Sequence, residues 1–328
     1  MGGDGHAAQG ATSPSGRRRP LLRIHIGLRA KGRRALARTA IGAALAPPLG
    51  GCSGGVLDPQ GPIGAANRTI LFNALEIMLL IVVPTIVAGL FFAWWFRASN
   101  TRANYQPRWA YSGRIEIIVW SIPILVILFL GGVIWIGSHE LDPYQPIASQ
   151  RKPLEVQVVS LDWKWLFIYP EQGVASVNQL VVPAGAPVHF ALTSASVMNA
   201  FFVPQLGSMI YTMNGMVTQL NLQAGREGEF YGESAMYSGD GFSDMNFLLR
   251  AVSQDEFAAW VTRARQEGPA LDRPGYESLS RQSQNVRPFT YRTIDPALFQ
   301  AIVTQQVPPG PGPTAGRGGP RVHPRREG

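Results

Sequence analysis

The sequence predicts a membrane-anchored α+β protein: a two-helix transmembrane hairpin, then a domain of short strands, then a helical C-terminal arm. Three observations carry this. Two almost wholly apolar runs, Ile77 to Phe96 and Ile115 to Ile136, each reach the roughly 20 residues a helix needs to cross a bilayer. From Leu154 to Val252 short β-branched and aromatic runs alternate with Gly and Pro, the pattern of a sandwich or barrel. After Ser253 the apolar spacing changes to that of an amphipathic helix. Charged residues make up 15% of the 328-residue chain, against about 25% in an ordinary soluble domain.

The first 51 residues read as a signal peptide. Arg17 to Arg38 is strongly basic, and Thr39 to Gly51 is a short run of small, weakly apolar residues ending in Leu-Gly-Gly before Cys52. That is the order of a secretory leader. Small residues directly before a cysteine resemble the bacterial lipoprotein cleavage box, which implies a mature chain starting at a lipidated Cys52. The alternative is a chance cysteine after glycines. The formal charge of +8 sits largely in this leader and in the tail, Arg317 to Arg326. No basic stripe with interleaved aromatics runs through the middle, which speaks against nucleic-acid binding. Residues 52–76 then form a linker.

The hairpin, residues 77–136, has a legible orientation. Arg97, Arg102, Arg108 and Arg114 lie between the spans with no acidic residue, so this loop faces the cytoplasm. Both outer ends then face the periplasm, in agreement with a lipidated Cys52 on that side. Pro84 and Pro123 fall inside the spans, where membrane helices tolerate them. Glu116 opens the second span. It reads either as a carboxylate favoured by the helix N-terminus or as a carboxylate marking a proton route, and the two are compatible.

Residues 154–252 read as strands at Val156 to Val159, Gln179 to Pro183, Val188 to Leu192, Val217 to Leu222 and Phe247 to Val252. Trp163, Trp165, Phe167 and Tyr169 alternate as in a half-buried strand. Residues 253–305 form the arm: a helix over Ser253 to Gln266 with Ser253 as N-cap, and two shorter ones at Tyr276 to Gln284 and Pro296 to Gln305. Residues 306–328 are Pro/Gly/Arg-rich and read as a disordered tail.

The stretch Tyr231 to Arg250 singles out a candidate site. Ser234 and Ser238 stand four apart, Phe242 follows after four more and Met245 after three. With cysteines for the serines and histidine for the phenylalanine, this would be a loop of soft ligands suited to a copper electron-transfer centre. Of that set only Met245 remains, and a lone Met is more often core packing. The chain holds one cysteine, Cys52, and between it and the tail only His139 and His189. No phosphate loop, nucleophile elbow, zinc spacing or C-x-x-C-H appears.

DWKW at Asp162, IYPEQG at Ile168, NAFFVPQLG at Asn199 and YSGDGFSDM at Tyr237 resemble subunit II of the haem-copper respiratory oxidases, in its ubiquinol (cytochrome bo-type) branch. The resemblance runs from about Cys52 to Gln305. It implies a cupredoxin-like β-barrel for 154–252. It also implies that Asn199, Ser234, Ser238, Phe242 and Met245 are vestigial positions of a binuclear copper site, with no metal in this chain. Haems, copper and ubiquinol would belong to subunit I. The partners would be that subunit, further small membrane subunits and membrane lipid, with no cytochrome c, in the bacterial inner membrane. In that family a glutamate placed like Glu116 lies at the mouth of a proton channel of the catalytic subunit. The weighed alternatives are the electron-entry subunit II of a cytochrome c oxidase and an unrelated membrane-anchored lipoprotein. The missing ligands count against the first; the hairpin with Glu116 and the retained loop skeleton count against the second.

Overall fold

The computed structural model describes residues 55–104 and 106–310, with the backbone of 325–326. The leader and Cys52 lie outside the described residues, as does most of the tail.

Two long helices come first, α1 (Pro62–Trp95) and α2 (Gly113–Glu140). Both are apolar all round and their side chains are largely exposed, as expected of helices whose solvent is lipid. α1 begins at Pro62, well before the apolar run at Ile77. At 1.5 Å per residue its 34 residues span about 50 Å, against a hydrocarbon core of about 30 Å. The surplus at its N-terminus grips the β domain: Gly64 N–H donates to Leu206 O at 3.0 Å and Gln60 N–H to Gln205 O at 2.7 Å. Just past the end of α2, Pro143 O accepts from both Asn221 N and Asn221 Nδ2.

The β domain has ten strands: β1 (Leu154–Leu161), β2 (Lys164–Tyr169), β3 (Val174–Val177), β4 (Gln179–Pro183), β5 (Pro187–Ser194), β6 (Asn199–Phe202), β7 (Ile210–Thr212), β8 (Thr218–Gln223), β9 (Gly228–Ser234) and β10 (Asn246–Val252). After it come α3 (Gln254–Gln266), β11 (Ala270–Leu271), α4 (Arg273–Leu279), β12 (Ser283–Gln284), β13 (Phe289–Tyr291), β14 (Thr293–Ile294) and α5 (Leu298–Val303). One sheet has the order β13-β3-β2-β1-β5-β8 and the other β4-β10-β9-β6-β7. β1 pairs parallel with β5 and β4 parallel with β10, the crossed pairings of the cupredoxin-like barrel that the resemblance implied.

Aromatic side chains fill the space between the sheets. Phe201 stacks on Phe247, with ring centroids 5.1 Å apart and planes 14° apart. Trp165 meets both edge-on. β9 carries Gly232 here because a Cβ would stand 2.2 Å from the Phe247 ring. β2 is not half-buried, as its alternation suggested. All six of its residues are buried. Trp165, Phe167 and Tyr169 point between the sheets, while Leu166 and Ile168 point the other way into a second core. The arm closes that second core with Tyr276, Leu279, Leu298, Phe299 and Ile302.

The arm departs from the expected helices. α3 starts as foreseen, with Ser253 Oγ accepting from Glu256 N. α4 ends at Leu279, and Ser283–Gln284 is extended. α5 covers Leu298–Val303 only. Strands β3, β6, β7 and β9 went unforeseen; they are short, or interrupted by glycine and charge.

Candidate functional site: the loop end of the barrel

The candidate positions meet at one end of the second sheet. Asn199 opens β6, Ser234 closes β9, and Ser238, Phe242 and Met245 follow on the loop to β10. Pairing of Phe201 with Ser234 sets β6 beside β9, which brings Asn199 to the serine across more than 30 residues of sequence. Ser234 Oγ lies 3.2 Å from both Asn199 Oδ1 and Met236 O, the two acceptors within reach of its single proton. Asn199 Nδ2 donates to Val197 O at 3.2 Å. Ser238 Oγ contacts Met245 Sδ at 3.9 Å. Asn199, Ser234, Ser238 and Met245 are buried. Phe242 is half-buried and packs edge-on against the exposed Tyr237 at 5.5 Å.

Hydroxyl, amide and thioether groups therefore satisfy one another, as buried polar groups must. The set contains one soft donor, Met245 Sδ, and no thiolate or imidazole. Thiolate and imidazole are what hold a redox copper pair, so these residues do not fit one. Among the described residues no group of three or more His, Cys, Asp or Glu side chains is placed to hold a metal ion.

Two features escaped the sequence reading. Trp163, in the two-residue turn between β1 and β2, has a left-handed backbone (φ 68°) that a bulky residue rarely adopts. Its indole Nε1 donates to Ser238 O at 3.1 Å, and its ring takes the place that a Cβ on Gly241 would need, 2.4 Å away. The strained turn and the loop thus hold each other. Beside it the buried carboxylate of Asp162 accepts from Ser196 Oγ and from Gln282 Nε2, the latter at 3.3 Å, tying the turn to the arm. Buried Lys164 donates to Arg281 O at 2.7 Å and to Ser283 Oγ. DWKW was visible as a motif, but its charged residues gave no sign that they face the arm.

Glu116 stands apart from this loop, in the first turn of α2. Its Oε2 accepts from Trp120 Nε1 at 3.0 Å, one turn along, and it is exposed.

Comparison with known proteins matches this architecture. Residues 154–252 match the family model for the cytochrome c oxidase subunit II periplasmic domain, and residues 265–310 the COX aromatic-rich motif. The ubiquinol oxidase subunit 2 of Acetobacter aceti is 49% identical over 259 residues, 78% of this chain and 84% of that protein. The chain belongs to the subunit II family of the quinol oxidases. The cytochrome bo(3) ubiquinol oxidase subunit 2 of Pseudomonas aeruginosa is also 49% identical, covering 80% of each chain. A more distant member, the quinol oxidase subunit 2 of Bacillus cereus, is 34% identical over 70% of this chain and 80% of its own. Membership in the quinol oxidase subunit II family accounts for the two apolar helices, the β domain and the aromatic arm together.

Proposed function

We propose that this chain is the accessory subunit II of a proton-pumping ubiquinol oxidase, itself free of redox metal. It is an oxidase subunit and so partners other oxidase subunits. The observation that carries the finer reading is the donor set at the loop end. A serine–asparagine pair and a serine–methionine pair stand where an electron-entry subunit would present thiolates and imidazoles. Electrons from ubiquinol then reach haem and copper in subunit I without passing through this chain, and cytochrome c is not a partner. The hairpin anchors the chain in the bacterial inner membrane with the β domain in the periplasm. Residues 52–76 lead into it, and a lipid on Cys52 adds a second anchor.

The test is complementation of an oxidase lacking its own subunit II by the full chain. Ubiquinol-driven oxygen uptake should return, reduced cytochrome c should not be oxidised, and copper content should match that of subunit I alone. Additional stoichiometric copper with thiolate-to-copper absorption would reverse the reading.

Glu116 is proposed as a carboxylate at the proton entrance, held in one rotamer by Trp120. An exposed acid at the edge of a membrane span supports this. Glu116→Ala in the assembled oxidase should slow proton uptake and turnover with ubiquinol affinity unchanged. Unaltered turnover would leave Glu116 as a helix-end charge.

A further inference from the structure

At the cytoplasmic end of the hairpin lies a groove of about 840 Å³ that the oxidase reading does not use. Phe92, Trp95 and Phe96 from the end of α1, and Trp109 and Ile115 from the start of α2, form its apolar wall. Arg102, Asn104 and Gln106 of the connecting loop form its polar rim. Its size is that of a small-molecule site. Apolar wall and polar rim divide where the spans meet the loop, at the level of a bilayer's headgroups, where Trp side chains also gather.

The arginines of this loop are not equivalent. Arg97 is engaged: Nη1 donates to Trp94 O at 2.8 Å, Nε to Ser99 Oγ at 3.1 Å, and the guanidinium lies 5.0 Å from the centre of the Trp94 ring. Arg102 takes part in the turn only through its backbone, its N–H donating to Asn100 Oδ1 at 3.1 Å. Its guanidinium has no partner among the described residues, and it sits on the groove. The stretch from Arg97 to Arg114 has four arginines and no carboxylate, so an anion is the complementary occupant. The cytoplasmic leaflet supplies one, since its anionic headgroups attract juxtamembrane arginines.

We propose that this groove is a binding site for one anionic phospholipid of the cytoplasmic leaflet. The phosphate lies against the Arg102 guanidinium, with the Asn104 and Gln106 amides as further donors, and the acyl chain lies along Trp109, Trp95 and Phe92. The proposal rests on the two-span reading of the hairpin. The bound lipid covers the aromatic rings at the loop end of α1 and α2.

The test uses the full chain in the assembled oxidase, stripped stepwise of lipid in detergent and weighed intact by native mass spectrometry. Phosphatidylglycerol and phosphatidylcholine are added back in equal amounts. One phosphatidylglycerol should survive stripping and be lost in Arg102→Gln, with retention down roughly fivefold, the effect of one arginine near an anionic surface. Arg108→Gln removes the same charge from the same loop but lies off the groove, and should retain the lipid. Inorganic phosphate should not compete, since it lacks the chain. Equal loss in both variants, equal retention of both lipids, or cross-linking from position 109 to another subunit instead of lipid would overturn the proposal. Resistance of each variant to alkaline extraction from membranes is scored in parallel. A chain that washes off refutes the hairpin, whereas a chain that stays but holds no lipid refutes only the groove.

Discussion

The two faces of the first sheet are buried by different means. Inward, β2 presents Trp165, Phe167 and Tyr169 to a second sheet whose strands are fixed by long ladders of backbone hydrogen bonds. Outward, it presents Leu166 and Ile168 to an arm of strands two or three residues long and helices of seven and six residues. Exposure at β2 is 0–2% either way. An irregular segment can therefore dry a sheet face as fully as another sheet does. Its one ladder to the sheet is short, β13 on β3, and the rest is held by anchors: Phe299 and Tyr276 in the core, Lys164 on Arg281 O and Ser283, and Asn178 Nδ2 on Val286 O. The inner face should belong to the global folding unit and the outer to a unit that opens more easily.

Truncating one ring on each face tests that difference most directly. Phe247 touches the rings of Trp165, Phe167 and Phe201, so Phe247→Ala should cost about 3–5 kcal/mol in global unfolding. Phe299→Ala should cost less, about 3 kcal/mol, since an arm held by one short ladder can settle into the vacated space. Amide exchange should then speed up across 270–307 but not in β5 or β10. Equal costs with uniform exchange would mean that arm and barrel form one cooperative core.

Asn178 joins the two faces, and its substitution should have the next largest effect. It is the single residue between β3 and β4, where the chain passes from one sheet to the other, and its backbone is left-handed (φ 52°). Asn tolerates that region better than most residues. Its Oδ1 accepts from Trp165 N and its Nδ2 donates to Val286 O, both at 2.8 Å. Asn178→Ala leaves buried backbone groups unpaired and adds strain, for a cost of about 2–4 kcal/mol. Asn178→Gly loses the same bonds without the strain and should be less destabilised, by about 1 kcal/mol. Identical losses in denaturant titrations would show that the left-handed backbone costs nothing here.

The same contrast explains what the sequence made legible. The two apolar helices and the strands foreseen at Gln179–Pro183 and Phe247–Val252 follow from local pattern, a long apolar run for the helices and short apolar runs between turn residues for the strands. The loop positions were legible because residue identity alone excludes thiolate and imidazole ligands. β2 misled because both of its faces are dry: its alternation of Trp, Phe and Tyr with Leu and Ile separates two cores rather than core from water. Lys164, on the outer face of the same strand, is buried too, and its partners are more than 100 residues away. β9 was hidden by Gly232, whose missing side chain is filled by a ring from β10.

The finest test of the two-face contrast is alkaline titration. Tyr169 on the inner side and Tyr276 on the outer are both buried, and burial raises both phenols above the usual value. At Tyr276 the nearby Asp162 carboxylate pushes the same way. A raised acid stays neutral in the folded state, so the stability it supports is complete below pH about 10, where a free tyrosine ionises. It is lost as pH climbs toward the raised folded values, by about 1.4 kcal/mol per pH unit for each group. If the arm opens on its own, Tyr276 ionises through that opening while Tyr169, whose hydroxyl donates to Val181 O and accepts from Val181 N, stays neutral until the barrel unfolds. Tyrosinate absorbance should therefore rise in two separated steps. Tyr276→Phe should remove one phenol from the earlier step and Tyr169→Phe one from the later. A single step, with both substitutions shifting it alike, would mean that the arm does not open before the barrel.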